Sequence, residues 1–322
     1  MECLMNKYAF PNGLQVSIRK IYRNDPFRYI HFNAPFWRET LINTNEILSQ
    51  YDIRLTKSLG QNFLTDANII RKITEAGELT QEDLVIEVGP GIGSLTVSLA
   101  QQAGKVIAVE IDKNLIPALK DTTGQFKNIT VIHEDILKVD IHSILQGWNG
   151  RVKIISNLPY YVTTPVVMMF LESNLPIERM VLMVQKEVAL RMAAKPGTKD
   201  YGALSVGIQV SGTPKVLFQV SKNCFIPKPD VDSAVLRILL NGQLLEQIQD
   251  KAVFFNCVRA AFSQRRKTLL NAMSGAPNWK LDKETVKGLI DTMGLKEMIR
   301  GEELSVEQFI ALSNLVVQNK NP

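Results

Sequence analysis

Between residues 84 and 184 the chain returns five times to a short apolar run rich in β-branched residues. The runs are Leu84-Val85-Ile86-Glu87-Val88, Lys105 to Val109, Ile129 to Ile132, Val152-Lys153-Ile154-Ile155 and Met180 to Val184. Such runs are short for helices and show little polar alternation. They read as strands of a parallel sheet covered on both faces. Segments of helical period lie between them. Leu95 to Ala103 is one, Thr163-Thr164-Pro165 caps a second that runs to Leu171, and a third carries Lys186, Glu187 and Arg191. Upstream, Thr44 to Gln50 reads as a short helix, and Asp66 is a good N-cap for the stretch bearing Ile69, Ile70 and Ile73. Two further strand-like runs, Lys215 to Val220 and Ala234 to Leu240, bring the count to seven, and beyond about Asn241 the pattern is wholly helical. The predicted architecture is α/β: a doubly wound, mostly parallel seven-stranded sheet over residues 44–241, then a small all-α C-terminal domain over residues 242–322.

Residues 1–43 fit neither part. They hold aromatics and arginines (Tyr22, Phe27, Arg28, Tyr29, Phe32, Phe36, Trp37, Arg38) with weak periodicity, and Pro11-Asn12-Gly13 has the composition of a turn. Such side chains can stack on bases, but chain ends are where disorder concentrates. The expectation is a poorly ordered extension, or a start assigned too far upstream.

Composition narrows the class. At 322 residues, 45% hydrophobic and 21% charged, the chain has the make-up of a soluble globular protein with room for two domains. A net charge of +5 permits a polyanionic partner without requiring one. Cys3, Cys224 and Cys257 show no paired spacing, and His31, His133 and His142 form no ligand pattern. Neither a disulfide framework nor a metal site is expected, and a reducing cytoplasm fits. No apolar stretch approaches membrane-spanning length, and the N-terminus lacks a signal-peptide core.

Candidate chemistry collects at strand ends. The first long run passes into Gly89-Pro90-Gly91-Ile92-Gly93-Ser94, then a helix, then a strand ending at Glu110, which is one βαβ unit. Glycines there let the backbone approach a ligand closely. Glu110 is placed to accept from two ribose hydroxyls and would repel a phosphate. Ser94 stands where a dinucleotide fingerprint has its third glycine, and the spacing Glu87-x-Gly89-x-Gly91-x-Gly93 favours S-adenosylmethionine over NAD. A glycine turn with no ligand remains open on this spacing alone. Asp135, at the end of the third strand, could accept from an adenine amine or be a solvated turn residue. The fourth strand delivers Asn157-Leu158-Pro159-Tyr160 to the sheet's C-terminal edge. A side-chain amide, carbonyls fixed by proline and a flat ring suit a nucleobase amine, although ordinary strand exits use the same residue types. Phe225, on a loop stiffened by Pro227 and Pro229, is core filler or a base-stacking platform. Lys195 and Lys199 lie on a glycine-containing loop that could touch phosphates or simply be solvated. Lys251, Arg259, Arg265, Arg266, Lys267 and Lys280 occupy a stretch with no acidic residue. That is the footprint of a phosphate backbone, or else a solvated basic face.

Four motifs, taken in order, resemble one family. They are Gly60-Gln61-Asn62-Phe63-Leu64, Glu87-Val88-Gly89-Pro90-Gly91-Ile92-Gly93, Asn157-Leu158-Pro159-Tyr160, and Phe225-Ile226-Pro227-Lys228-Pro229 continuing through Val231-Asp232-Ser233-Ala234-Val235. From about residue 44 to its end the chain resembles the ribosomal RNA adenine N6-dimethyltransferases, and among them the bacterial small-subunit enzymes that dimethylate two adjacent adenines. The resemblance implies a Rossmann-like methyltransferase sheet followed by a helical RNA-binding domain. It implies S-adenosylmethionine held through Asn62, Leu64, Gly89, Glu110, Asp135 and Asn157, with Gly91 in the same turn. It places Asn157 and the Leu158 or Pro159 carbonyl on the target amine, and Tyr160 and Phe225 against the extruded base. Lys195, Lys199, Arg259, Arg265, Arg266 and Lys267 become the expected RNA contacts. The implied partner is small-subunit rRNA in a 30S precursor, met by a cytoplasmic monomer away from any membrane.

Three rivals bear on this. Large-subunit enzymes that confer macrolide resistance usually read Asn-Ile-Pro-Tyr and have a shorter helical domain. Leu158 and the Ala261-Phe262-Ser263-Gln264-Arg265-Arg266-Lys267 run point to the small-subunit branch instead. Non-catalytic nucleic-acid-binding relatives, such as mitochondrial transcription factors, are disfavoured by the intact cofactor positions. An NAD-dependent dehydrogenase is disfavoured by Ser94.

Overall fold

The structure, a computed structural model, describes residues 5–9, 15–19, 42–53, 60–173, 175–277, 279 and 281–320. Two compact units divide the chain, Met1–Leu41 and Ile42–Pro322. In the first, strands β1 (Met5–Ala9) and β2 (Gln15–Arg19) pair antiparallel, Met5 opposite Arg19 and Ala9 opposite Gln15. Apart from these strands and Ile42-Asn43, the expected poorly ordered extension lies outside the described residues. So do the Pro11-Asn12-Gly13 turn, the aromatic–arginine run and Lys280.

The second unit opens with α1 (Thr44–Gln50), β3 (Phe63–Leu64) and α2 (Ala67–Ala76), which Asp66 caps through the Asn68 and Ile69 amides. There follow β4 (Asp83–Val88), α3 (Ser94–Ala100), β5 (Lys105–Glu110), α4 (Ile116–Thr123), β6 (Ile129–His133), α5 (Ile141–Ile144) and β7 (Arg151–Asn157). Next come α6 (Thr163–Glu172), β8 (Ile177–Gln185), α7 (Lys186–Met192), α8 (Ala203–Ser211), β9 (Gly212–Val220), β10 (Phe225–Ile226) and β11 (Ser233–Leu240). Helices α9 (Lys251–Ala261), α10 (Leu269–Ser274), α11 (Lys283–Thr292) and α12 (Val306–Lys320) complete the chain.

The seven long strands form one sheet in the order β6-β5-β4-β7-β8-β11-β9, parallel from β6 to β8, with β11 antiparallel to both its neighbours. Period-two alternation divides each buried strand between two cores. Leu84, Ile86, Val88, Ile154, Leu182 and Leu236 face one side with α6, α7 and Leu204 and Ile208 of α8. Val85, Val106, Ile155, Val181 and Val235 face the other side with α2 and α3. This is a doubly wound sheet, as the apolar runs predict.

Three details differ from expectation. Helix α3 ends at Ala100, and Gln101 to Ala103 continue as hydrogen-bonded turns. Thr163 does not cap α6; it is the first helical residue, and its hydroxyl donates back to the Pro159 carbonyl at 3.1 Å. Lys153, inside an apolar run, is 1% exposed. Its ammonium lies 3.1 Å from Asp83 Oδ2 and also donates to the Gly77 and Glu78 carbonyls. A buried charge needs such partners.

Helix α8 joins the sheet to the C-terminal helices. Leu204 and Ile208 pack on the sheet, while Val206 and Val210, with the preceding Tyr201, join a second core formed mainly by α9 to α12. Seven of its residues are buried, so it shows no polar stripe by which a helix would be recognised in sequence.

Candidate active site

The sheet reverses its direction of winding between β4 and β7. From β4 the chain passes to β5 and β6 on one side, and from β7 to β8 on the other. Their carboxyl ends diverge into a cleft, where open α/β sheets hold ligands. Its walls are the Gly60–Leu64 segment, the glycine turn after β4, Glu110 and Ile111, Glu134–Ile136 and Asn157–Val162. The seven cofactor residues expected from sequence come from five chain segments and meet there.

Narrowness explains the glycines. Gly89 and Gly91 have φ of +66° and +62°. A Cβ on Gly89 would stand 3.1 Å from Pro159 Cγ, and one on Gly91 2.9 Å from Phe63 Cε1. Side chains here would fill the space that a ligand needs. Glu110 is buried at the tip of β5, where Oε2 accepts from the Gly91 amide at 3.1 Å and Oε1 from the Asp112 amide at 2.9 Å. Burial pushes its carboxyl up, and those amides work against the rise. Asp112 in turn accepts from Gln61 Nε2 at 2.6 Å, which fastens the Gly60–Leu64 segment across the cleft. Asp135 accepts from the Leu137 amide through Oδ1.

Glu87 counts toward the glycine spacing in the sequence, which gives it no role in the site. It lines the cleft floor, is 2% exposed, and its Oε2 makes no hydrogen bond. Burial pushes its pKa up to about 8; the nearby Thr96 hydroxyl opposes the rise and the Glu110 charge adds to it. The usable signal was an acid inside an otherwise apolar strand.

On the other wall, Asn157 Nδ2 donates to the Asn62 carbonyl at 3.3 Å, which leaves Asn157 Oδ1 to accept from a ligand. The Pro159 carbonyl already accepts from the Val162 amide at 3.2 Å and the Thr163 hydroxyl at 3.1 Å. Both lone pairs of that carbonyl are thus engaged. The Tyr160 hydroxyl lies 2.7 Å from the Ser233 hydroxyl, and this fixes its ring.

Phe225 is not brought to the cleft. It is 3% exposed and packs with Leu64, Ile70 and Val220, while β10 pairs with β3, Phe225 opposite Leu64 and Ile226 opposite Phe63. Its motif instead backs the Asn62-Phe63-Leu64 segment, since the Cys224 carbonyl also receives the Thr65 amide. Of the two readings of Phe225, this arrangement is the core one.

The basic residues lie elsewhere. Lys195, Lys199, Arg259, Arg265, Arg266 and Lys267 are all exposed. Glu302 draws two of their segments together: its carbonyl accepts from the Gly197 amide at 2.7 Å and its carboxylate pairs with Arg265 at 3.4 Å. Arg259 reaches Glu172 at 3.9 Å. Among the described residues no His, Cys, Asp or Glu cluster suits a metal ion, and no helix is long and apolar enough to cross a membrane.

A glycine cradle, an anchored carboxylate at the tip of β5 and a buried acid with one oxygen free of hydrogen bonds fit a nucleoside that carries a cationic tail. The fold and cleft are those of an S-adenosylmethionine-dependent methyltransferase. The model of the ribosomal RNA adenine dimethylase family matches residues 53–317, and the chain belongs to that family. It is 49% identical over 275 residues to the ribosomal RNA small subunit methyltransferase A of a Geobacillus species, covering 84% of this chain and 94% of that protein. It is 46% identical over 276 residues to the protein of the same name from Lachnoclostridium phytofermentans, covering 85% and 95%. A dimethyladenosine transferase structure from Plasmodium falciparum superimposes with a TM-score of 0.65 at 26% identity, covering 80% of this chain and 98% of that one. The 23S rRNA methyltransferase ErmE gives 0.57 at 26% identity, covering 79% and 98%.

Proposed function

We propose that this protein dimethylates N6 of two adjacent adenines near the 3′ end of small-subunit rRNA. The observation that carries the reading is Asn157, whose Nδ2 is held by the Asn62 carbonyl so that Oδ1 is left to accept, beside a cleft suited to the methyl donor. Bound there, S-adenosylmethionine supplies an electrophilic methyl group. Asn62, Leu64, Gly89, Gly91, Glu110 and Asp135 hold and orient it. Asn157 Oδ1 and the Leu158 carbonyl accept the two amine hydrogens. Their fixed dipoles favour a nitrogen whose lone pair has left the ring's conjugation. Tyr160, held by Ser233, stacks on the extruded base. The proton lost from the nitrogen passes to solvent once methylation has made it acidic, so no general base is assigned.

The helical part, residues 242–322, is assigned to RNA binding. Arg259, Arg265, Arg266 and Lys267 would meet the phosphate backbone, together with Lys195 and Lys199 from the loop tied to Glu302. Identity of 46–49% to proteins named as small-subunit methyltransferases supports the choice of subunit. A 30S precursor met by a cytoplasmic monomer completes the reading. The test uses radiolabelled S-adenosylmethionine with unmethylated small subunits and, in parallel, large-subunit RNA. Label in small-subunit RNA, released on digestion as dimethyladenosine, is expected. Label only in large-subunit RNA, or in neither, overturns the proposal.

A further inference from the structure

Tyr160 and Tyr161 are consecutive aromatics in the turn between β7 and α6, and both line the cleft. Tyr160 is tied to Ser233 on β11. Tyr161 lines the cleft with 50% of its surface exposed, and Ile111, which is 41% exposed, lines the same cleft. A Cβ on Gly60 would stand 3.7 Å from Tyr161 Cδ1, so the ring reaches the Gly60–Leu64 wall. It also faces the acids at the far end: burial and the charges of Asp135 and Glu110 all push its hydroxyl pKa up. Two large apolar groups are thus presented to one cleft beside the two carboxylates assigned to ribose and adenine. An exposed apolar pair of this kind marks a ligand surface.

We propose that the Tyr161 ring packs on the adenosine half of the methyl donor and sets the protein's affinity for it. The inference rests on the proposed use of the cleft for S-adenosylmethionine. An RNA strand is the poorer occupant, because Glu110 and Asp135 would repel its phosphates, whereas a neutral nucleoside offers them hydroxyl and amine donors. A ring stacked on a purine needs its flat face, and its hydroxyl adds little, since that hydroxyl sits beside carboxylates and makes no hydrogen bond to them.

Calorimetry on the full chain tests this with S-adenosylhomocysteine and with 5′-methylthioadenosine, which lacks the amino-acid tail. Tyr161→Ala should weaken both by a similar factor, about 5- to 100-fold for the loss of one base–aromatic stack. Tyr161→Phe should stay within about twofold of the parent. Affinity for a small-subunit rRNA fragment, read by fluorescence anisotropy without donor, should not move. Thermal melting checks folding; if Tyr161→Ala does not fold, Tyr161→Leu, which keeps bulk without a flat face, replaces it with a smaller loss expected. Unchanged donor affinity in the folded variant, or a loss confined to RNA, overturns the inference. Failure of the parent itself to bind either nucleoside would instead overturn the cofactor reading beneath it.

Discussion

Asn157 Nδ2 donates to the main-chain oxygen of Asn62 at 3.3 Å, joining two motifs 95 residues apart. The bond holds the Asn157 amide in one orientation, with its oxygen free for the substrate. Asn157→Ala should therefore lower kcat by about 10²- to 10³-fold, the usual cost of losing one preorganised dipole. Stability should fall by only about 1 kcal/mol, the net worth of one hydrogen bond. Single-turnover methylation beside urea unfolding reads both. Near-normal transfer by a folded Asn157→Ala protein would remove Asn157 from the chemistry.

The Lys153–Asp83 pair lies at the opposite edge of the sheet from the cleft. Asp83 also accepts from the Thr80 amide at 2.6 Å and from Arg151 Nε at 3.0 Å. Burial pushes its carboxyl up, but the Thr80 amide and the Lys153 ammonium outweigh burial and hold it below the usual range. Lys153→Met would leave the buried carboxylate to Arg151 and Thr80 alone and should cost about 1.5–3 kcal/mol, the worth of a hydrogen bond to a charged group, in chemical denaturation at pH 7. Adding Asp83→Asn should recover part of that loss. A depressed carboxyl contributes its stability above roughly pH 4 and loses it as pH falls through the folded value. The penalty of Lys153→Met should accordingly shrink in acid, and a pH-independent penalty would argue against the pairing.

Glu87 predicts the opposite trend. Its pKa is about 8 in the folded protein, against roughly 4.3 for an ordinary glutamate. Between those values the folded state holds a proton that the unfolded state has lost, so stability falls as pH rises, by roughly 1 kcal/mol per unit. Without ligand, the parent should lose more stability than Glu87→Gln between pH 5.5 and pH 8. Denaturant midpoints of both proteins at the two pH values decide the matter, and parallel changes would mean that Glu87 is already ionised.

The parallel strands and the glycine turn were legible because each leaves a local mark: a β-branched run, and glycines at positions requiring positive φ. The same holds for the meeting of Gly89, Glu110, Asp135 and Asn157, since strand ends on one edge of a sheet must gather; Asn62, ahead of β3, was expected from the family resemblance alone. Phe225 was ambiguous because its place depends on pairing with Leu64, a contact 161 residues away in sequence. That the Pro159 carbonyl is engaged turned on the Thr163 hydroxyl, which sequence alone had read as a helix cap. Lys153 shows that an apolar run can hide a charge once Asp83 and two carbonyls are brought to meet it.

Helix α8 packs Leu204 and Ile208 against the sheet and Val206 and Val210 against the C-terminal helices. Cutting the chain near residue 241 would therefore not release a finished catalytic half. It would leave a greasy seam open to water, prone to sticking to its own kind. Whatever the last eighty residues do for RNA, they also cover the outer apolar face of α8.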